Sequence, residues 1–165
     1  MSTKIRLLVV VCASLLCANS VRSQTENKYT TSLKQAVQKL SVGEKNRDTS
    51  LVFPFLDSNI AFTARGETQT INLEVFKKMK TQMFTNPGRD IITTYEIEEV
   101  KAGSTEPVWC GYDKGTFTQS TTQKNGQYKR TISGPYYRAW KLENGQWKCY
   151  VLIVMAFTCE GNDCQ

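Results

Sequence analysis

Two Asn-Gly pairs, Asn125-Gly126 and Asn144-Gly145, constrain this chain more than any other feature. Each stands between long runs of strand-forming residues, and Asn-Gly supplies the positive φ that a two-residue type I′ hairpin needs. Together they tie three strands into an antiparallel meander and set its registers. With Lys124 opposite Gln127, Cys110 faces Lys141 and Asp113 faces Arg138; with Glu143 opposite Gln146, Lys141 faces Lys148. Side chains alternate across a strand, so the faces follow. One face collects Phe117, Tyr128, Ile132, Tyr136, Arg138, Trp140, Leu142, Trp147, Val151, Ile153 and Met155. The other collects Lys129, Thr131, Tyr137, Lys141, Lys148 and Tyr150. An antiparallel sheet commonly turns one face to the core and one to water, so the first set is expected to be covered by helices.

Those helices are written upstream. Leu33, Ala36, Val37 and Leu40 recur at helical spacing behind a Thr31 or Ser32 cap, and the pattern predicts a helix ending near Gly43. Ile60 to Thr63 reads as a strand that turns at Arg65-Gly66 into a partner running through Thr68 and Thr70. Asn72 is an N-cap for a second helix, with Leu73, Phe76, Met79 and Met83 on one face and Lys77, Lys78 and Lys80 on another. The methionines are read as core. Asn86-Pro87-Gly88 stops that helix, and Ile91, Thr93, Tyr95 and Ile97 then alternate with polar residues. The order of helix, hairpin, helix and meander gives an α+β class: a curved antiparallel sheet wrapped around N-terminal helices.

The first residues carry an address. Lys4 and Arg6 precede an apolar run from Leu7 to Ala18, shorter than the ~20 residues a spanning helix needs, and small residues follow. This predicts a cleaved secretory signal peptide over 1–23 and one domain over 24–165; Val21 and Ser23 suit a cut before Gln24, Ala18 and Ser20 a cut before Val21. The expected location is extracellular, with no membrane association after cleavage. Without Lys4, Arg6 and Arg22 the 21 basic residues fall to 18 against 15 acidic, a net +3 too mild and scattered for nucleic acid.

The mature chain keeps Cys110, Cys149, Cys159 and Cys164, in keeping with an oxidising compartment. A zinc site would lack histidine and has the wrong spacing, so no metal is expected. By the registers Cys110 lies two strands from Cys149, roughly 9 to 10 Å and beyond the ~7 Å reach of a disulfide. Cys159, placed opposite Arg130, is far from Cys110. The turn-forming Glu160-Gly161-Asn162-Asp163 predicts a Cys159–Cys164 bond, with Cys149 a buried free thiol and Cys110 free or linked only after a register shift.

No histidine occurs, which removes Ser-His-Asp and Cys-His catalysis, and no phosphate-binding glycine loop or paired-acid motif is present. What remains is a carboxylate base raised by burial with tyrosine as donor. Asp57, after Phe53-Pro54-Phe55-Leu56, is the candidate; before Ser58-Asn59 it also reads as a turn aspartate. A bare Arg138 on an apolar face is costly, so it pairs with Asp113, reaches the rim, or holds a ligand carboxylate.

The stretch Gly134-Pro-Tyr-Tyr-Arg-Ala-Trp-Lys-Leu-Glu-Asn-Gly-Gln-Trp-Lys148 resembles the closing hairpin of the nuclear transport factor 2-like superfamily, in its SnoaL-like and ketosteroid isomerase-like branches. The preceding helix, strand pair, Gly66 turn and second helix are similar too. The resemblance implies a cone with an apolar pocket, used by some members for isomerase or lyase chemistry and by others for binding or dimerisation. Where members use aspartate with tyrosine, Asp57, Tyr95, Tyr112 and Tyr136 are available here. On this basis Tyr95, Tyr136, Arg138, Trp140 and Trp147 are expected as ligand-binding residues, with no cofactor. The reading is a secreted binding module for a small apolar ligand, or one that pairs with itself through the outer face around Tyr137, Lys141 and Tyr150. A cofactor-free lyase or isomerase is the alternative. A cystatin-type protease inhibitor, a cystatin-like fold on the same helix-on-sheet plan, is another; the chain lacks the Gln-x-Val-x-Gly loop, and Pro107-Val108-Trp109 only loosely echoes the Pro-Trp loop.

Overall fold

The computed structural model describes residues 27–64, 67–104, 110–124, 129–155, 158–161 and 164. The expected leader, the turns at Arg65-Gly66 and Asn125-Gly126, Tyr128, the Pro107 to Trp109 segment and Asn162-Asp163 lie outside them.

The first helix, α1 (Lys28–Asn46), starts earlier than its apolar stripe suggests, because Asn27 rather than Thr31 or Ser32 is its N-cap. The Asn27 side chain accepts from the Tyr29 and Thr30 amides at 2.9 Å and donates to the carbonyls of Ala102 and Gly103. That second pair of bonds anchors the helix start to a distant strand, which local propensity cannot reveal. Nor does Gly43 end the helix. It is a point of close approach, where a Cβ would meet Leu51 at 2.8 Å, and the helix runs on to a left-handed Arg47.

A short helix α2 (Thr49–Val52) and a 3₁₀ turn (Phe53–Phe55) lead into β1 (Leu56–Ala64) and β2 (Glu67–Asn72), an antiparallel pair. Asn72 caps α3 (Leu73–Phe84) as expected, accepting from the Glu74 amide at 2.8 Å. The long strands are β3 (Arg89–Ala102), β4 (Cys110–Gln123), β5 (Lys129–Glu143) and β6 (Gln146–Val154), with β7 (Thr158–Gly161) closing the chain. The sheet order is β2-β1-β6-β5-β4-β3, and β7 pairs with β5 beyond the end of β6. The sheet is mixed rather than purely antiparallel, since β1 lies parallel to β6.

The registers follow the Asn-Gly turns. Cys110 pairs with Lys141 and Asp113 with Arg138, Lys141 pairs with Lys148, and Asn144 and Gly145 have φ of 50° and 76°, as a type I′ turn requires. Two departures matter. A bulge between Ala139 and Trp140 shifts the partners from Cys149 to Val151, which turns Val151 and Ile153 to the outer face and brings Leu152 and Val154 inward, while Met155, whose amide donates to the Pro135 carbonyl just past β6, is nearly half exposed rather than core. A second bulge at Ile97/Glu99 moves the inward alternation of β3 to Val100, and Gly115 opposite has no room for a Cβ, which would run into the Glu96 carbonyl. Cys159 faces Ile132, two residues from the expected Arg130 and on the same parity.

The core joins one stripe of α1 (Leu33, Ala36, Val37, Leu40) to Val52, Ile60, Trp140, Trp147 and Cys149. Cys159 and Cys164 form a disulfide, while Cys149 is a buried and Cys110 an exposed free thiol. Burial in this core pushes the Cys149 thiol up to about 12.

Candidate functional site

The inner sheet face is divided between the two long helices. Under α1 it is filled solid, and there Tyr136, Arg138 and Trp140 project from alternate positions of β5 toward one acceptor, Asp113 of β4. The Asp113 carboxylate is fully buried and accepts from the Tyr136 hydroxyl at 2.8 Å, from Arg138 Nε and Nη2 at 3.0 and 2.6 Å, and from the Trp140 indole at 2.6 Å. Arg138 Nη2 also reaches Ser41 of α1 at 3.3 Å. Nη1 has no hydrogen-bond partner among the described residues; the guanidinium instead lies against the rings of Tyr95, Tyr136 and Trp140, 4.5, 4.9 and 5.7 Å from their centroids. Burial works against the arginine's charge, but Asp113 beside it keeps the guanidinium firmly protonated.

Under α3 the same face is incompletely covered. Here a cavity of about 280 Å³ is walled by Phe62, Phe117, Ile132, Leu152 and Val154 of the sheet and by Phe76, Met79 and Met83 of the helix. Of the methionines read as core, Met83 does pack against the core while also lining the cavity, and Met79 is nearly half exposed at the cavity edge. The Leu152 and Val154 contribution depends on the β6 bulge. Polar atoms enter the wall from Thr93, Tyr95, Gln119 and Lys80. Gln119 Nε2 donates to Thr93 Oγ1 at 3.2 Å, and Lys80 is paired with Glu44 of α1, its Nζ 2.7 and 2.8 Å from the two carboxylate oxygens.

The expected ligand residues separate. Tyr95 is in the cavity wall, touching Tyr136 edge-on at 4.9 Å; Tyr136, Arg138 and Trp140 are packed behind it around Asp113, and Trp147 is elsewhere in the core, donating to Ser32 at 2.9 Å. Of Arg138's expected roles the structure contains the Asp113 pair. Burial, then the nearby Glu44, pushes the Tyr95 phenol up, and burial does the same to Tyr136, so both are hydrogen-bond donors rather than acids near neutrality. Asp57 is away from the cavity, buried beneath Lys141 with Nζ 2.6 Å from its carboxylate. Burial alone would raise it, but hydrogen bonds from Lys141 and the Asn59 amide hold the carboxyl below its ordinary value. That is the opposite of what a base raised by burial requires.

Glu44 was not singled out in the sequence, and Lys80, expected on the polar face with Lys77 and Lys78, instead sits in the wall with Phe76, Met79 and Met83, because its ammonium is answered there by Glu44. Glu44 does extend the stripe Leu33, Val37, Leu40 by one more helical step, which is the signal that could have found it. Among the described residues no cluster of three His, Cys, Asp or Glu could hold a metal ion.

No protein-family model and no curated protein matches this chain in sequence. Solved structures do match. A conserved protein from Planctomyces limnophilus superposes with a TM-score of 0.63 at 14% identity, covering 79% of this chain and 96% of that one. A ketosteroid isomerase-like protein from Erwinia carotovora atroseptica gives 0.61 at 12%, covering 77% and 95%. A nuclear transport factor 2-like protein from Cytophaga hutchinsonii gives 0.52 at 16%, covering 79% and 98%. The cystatin-type reading gains no support from these likenesses. The likeness lies in helices laid in a curved, unclosed mixed sheet, and the chain has the nuclear transport factor 2-like fold.

Proposed function

We propose that this chain is a secreted binding module that holds a small apolar ligand in the cavity between α3 and the sheet. One observation carries the reading: the cavity wall is almost entirely aliphatic and aromatic, and the carboxylates near it or proposed for catalysis are already paired with lysines. A cofactor-free lyase or isomerase needs a carboxylate free to take a proton beside the ligand. Glu44 holds Lys80 and Asp57 holds Lys141, and that pairing favours holding over turnover.

The test is a titration of the mature protein with the uncharged fluorophore N-phenyl-1-naphthylamine. Saturable one-to-one binding with a dissociation constant on the order of micromolar is expected, lost in Ile132→Trp, which fills the cavity. Binding that is non-saturable, or unchanged in Ile132→Trp, overturns the reading. The secreted assignment rests on residues 1–23, and N-terminal sequencing of exported material should begin at Gln24 or Val21. Recovery of Met1 would reject it. Self-association through the outer face around Tyr137, Lys141 and Tyr150 is the other form of this proposal; sedimentation at tens of micromolar showing only monomer would remove it.

A further inference from the structure

Among the described residues of the cavity wall Lys80 is the one that is charged, and its charge is already answered. Both oxygens of the nearly buried Glu44 face its ammonium, which is itself only 12% exposed, and the rings of Phe76 and Phe84 lie 5.7 and 5.8 Å from Nζ. An ammonium has three N–H donors, and Glu44 offers two acceptor atoms. The apolar residues beside Lys80 in the wall offer none. A ligand in the cavity therefore meets a donor whose charge is balanced by Glu44.

This arrangement selects on charge. A ligand carboxylate would bring a second anion to an ammonium already paired with Glu44, inside an apolar wall where like charges repel strongly. A ligand amine would meet Lys80 itself and find no free carboxylate. A hydrocarbon would bring no acceptor of its own to the third donor while displacing water from the cavity. An uncharged group with a lone pair fits all three conditions, and Thr93, Tyr95 and Gln119 are other polar residues of the wall that such a ligand could meet. Size sets a further limit: about 280 Å³ is roughly twice the ~150 Å³ of an apolar cavity that takes benzene, which is room for two fused rings and a short substituent.

Resting on the ligand-binding reading above, we infer that Lys80, neutralised by Glu44, is the specificity-determining residue of the cavity and that it selects uncharged apolar molecules bearing one hydrogen-bond acceptor over acids, amines and hydrocarbons.

Three naphthalenes of nearly one shape separate these classes: 2-acetylnaphthalene, 2-isopropylnaphthalene and 2-naphthoate. Their binding to the mature protein is followed by the methyl resonances of isotope-labelled Met79 and Met83, which line the cavity, with Met155 as an outside control. The acetyl compound should bind about tenfold tighter than the isopropyl compound, as expected for a hydrogen bond from a charged donor, and tighter than the naphthoate by at least as much. Glu44→Gln removes the counter-charge and should reverse the order, making naphthoate the preferred ligand. The double variant Glu44→Gln/Lys80→Met, which leaves no stranded charge if either single variant folds poorly, should bind the acetyl and isopropyl compounds equally. Equal binding of those two by the wild type, or preference of the wild type for naphthoate, overturns the inference while leaving the ligand-binding reading intact. Absence of any shift at Met79 and Met83 with all three, the hydrocarbon included, overturns both.

Discussion

Among the described residues two carboxylate–cation pairs are buried or nearly so at both partners, and they differ in how they are built. Asp113–Arg138 is made within the sheet by adjacent strands, with Tyr136 and Trp140 adding donors from the same strand face, so its acceptor is saturated by a rigid frame. Glu44–Lys80 is made between two helices and has a cavity on one side. The first is closed and has no room for a ligand. The second is neutral in total charge but keeps a donor at the cavity wall. Burial of an ion pair is thus no guide to function here; what separates the two is whether the pair adjoins a cavity, for Asp113–Arg138 is enclosed by packed side chains while Lys80 lines the pocket.

Breaking the closed pair should have the larger effect. Arg138→Met leaves the Asp113 carboxylate with no exposed surface and no counter-charge, and should cost about 3 to 5 kcal/mol in urea-induced unfolding. Adding Asp113→Leu should recover much of that but not all, because the Tyr136 hydroxyl and the Trp140 indole lose their acceptor. Unchanged stability in Arg138→Met would mean that the pair does not exist as described. Lys80→Met should cost less, about 1 to 3 kcal/mol in the same measurement, because the cavity that Lys80 lines gives water a way in. If the two variants were equally destabilised, the contrast between a closed and an open pair would fail.

The closed pair was legible from sequence and the open one was not, and the reason is the range of the forces involved. Tyr136, Arg138 and Trp140 alternate on one strand, and the Asn-Gly turn register brings Asp113 opposite Arg138 without any knowledge of the helices. The meander, its core face up to Trp147, the cap at Asn72 and the Cys159–Cys164 bond follow from equally local rules. Glu44 and Lys80 are 36 positions apart on separate helices, and nothing local states that they meet. The cavity wall depends further on the β6 bulge, which inserts Tyr150 without a compositional mark and exchanges Val151 and Ile153 for Leu152 and Val154 on the inner face. An expectation centred on Trp140 and Trp147 therefore named the part of the face that α1 fills, and placed only Tyr95 in the wall that α3 leaves open.

A third pair, Asp57–Lys141, extends the comparison to one whose cation is a third exposed, and it gives the smallest effect. The Asp57 carboxyl lies below its ordinary value of 3.8: burial opposes the shift, and the hydrogen bonds from Lys141, the Asn59 amide and Ser58 outweigh it. A carboxyl depressed in the folded state binds protons more readily when unfolded, so the folded state gains stability above the unfolded value and loses it as pH falls through the folded one. The stabilisation should therefore be complete near pH 5 and decline as the pH falls below the ordinary value of 3.8. In Asp57→Asn this contribution is absent at every pH, and Lys141 is not stranded, because Glu143 is 2.9 Å from the same ammonium. With the cation this exposed, solvent screening should keep the difference from wild type below about 1 kcal/mol at neutral pH. Urea midpoints of the two proteins across this range should converge as the pH falls. A constant gap down to pH 3 would show that Asp57 acts through packing or its hydrogen bond to the Asn59 amide, and that the Lys141 contact contributes nothing measurable.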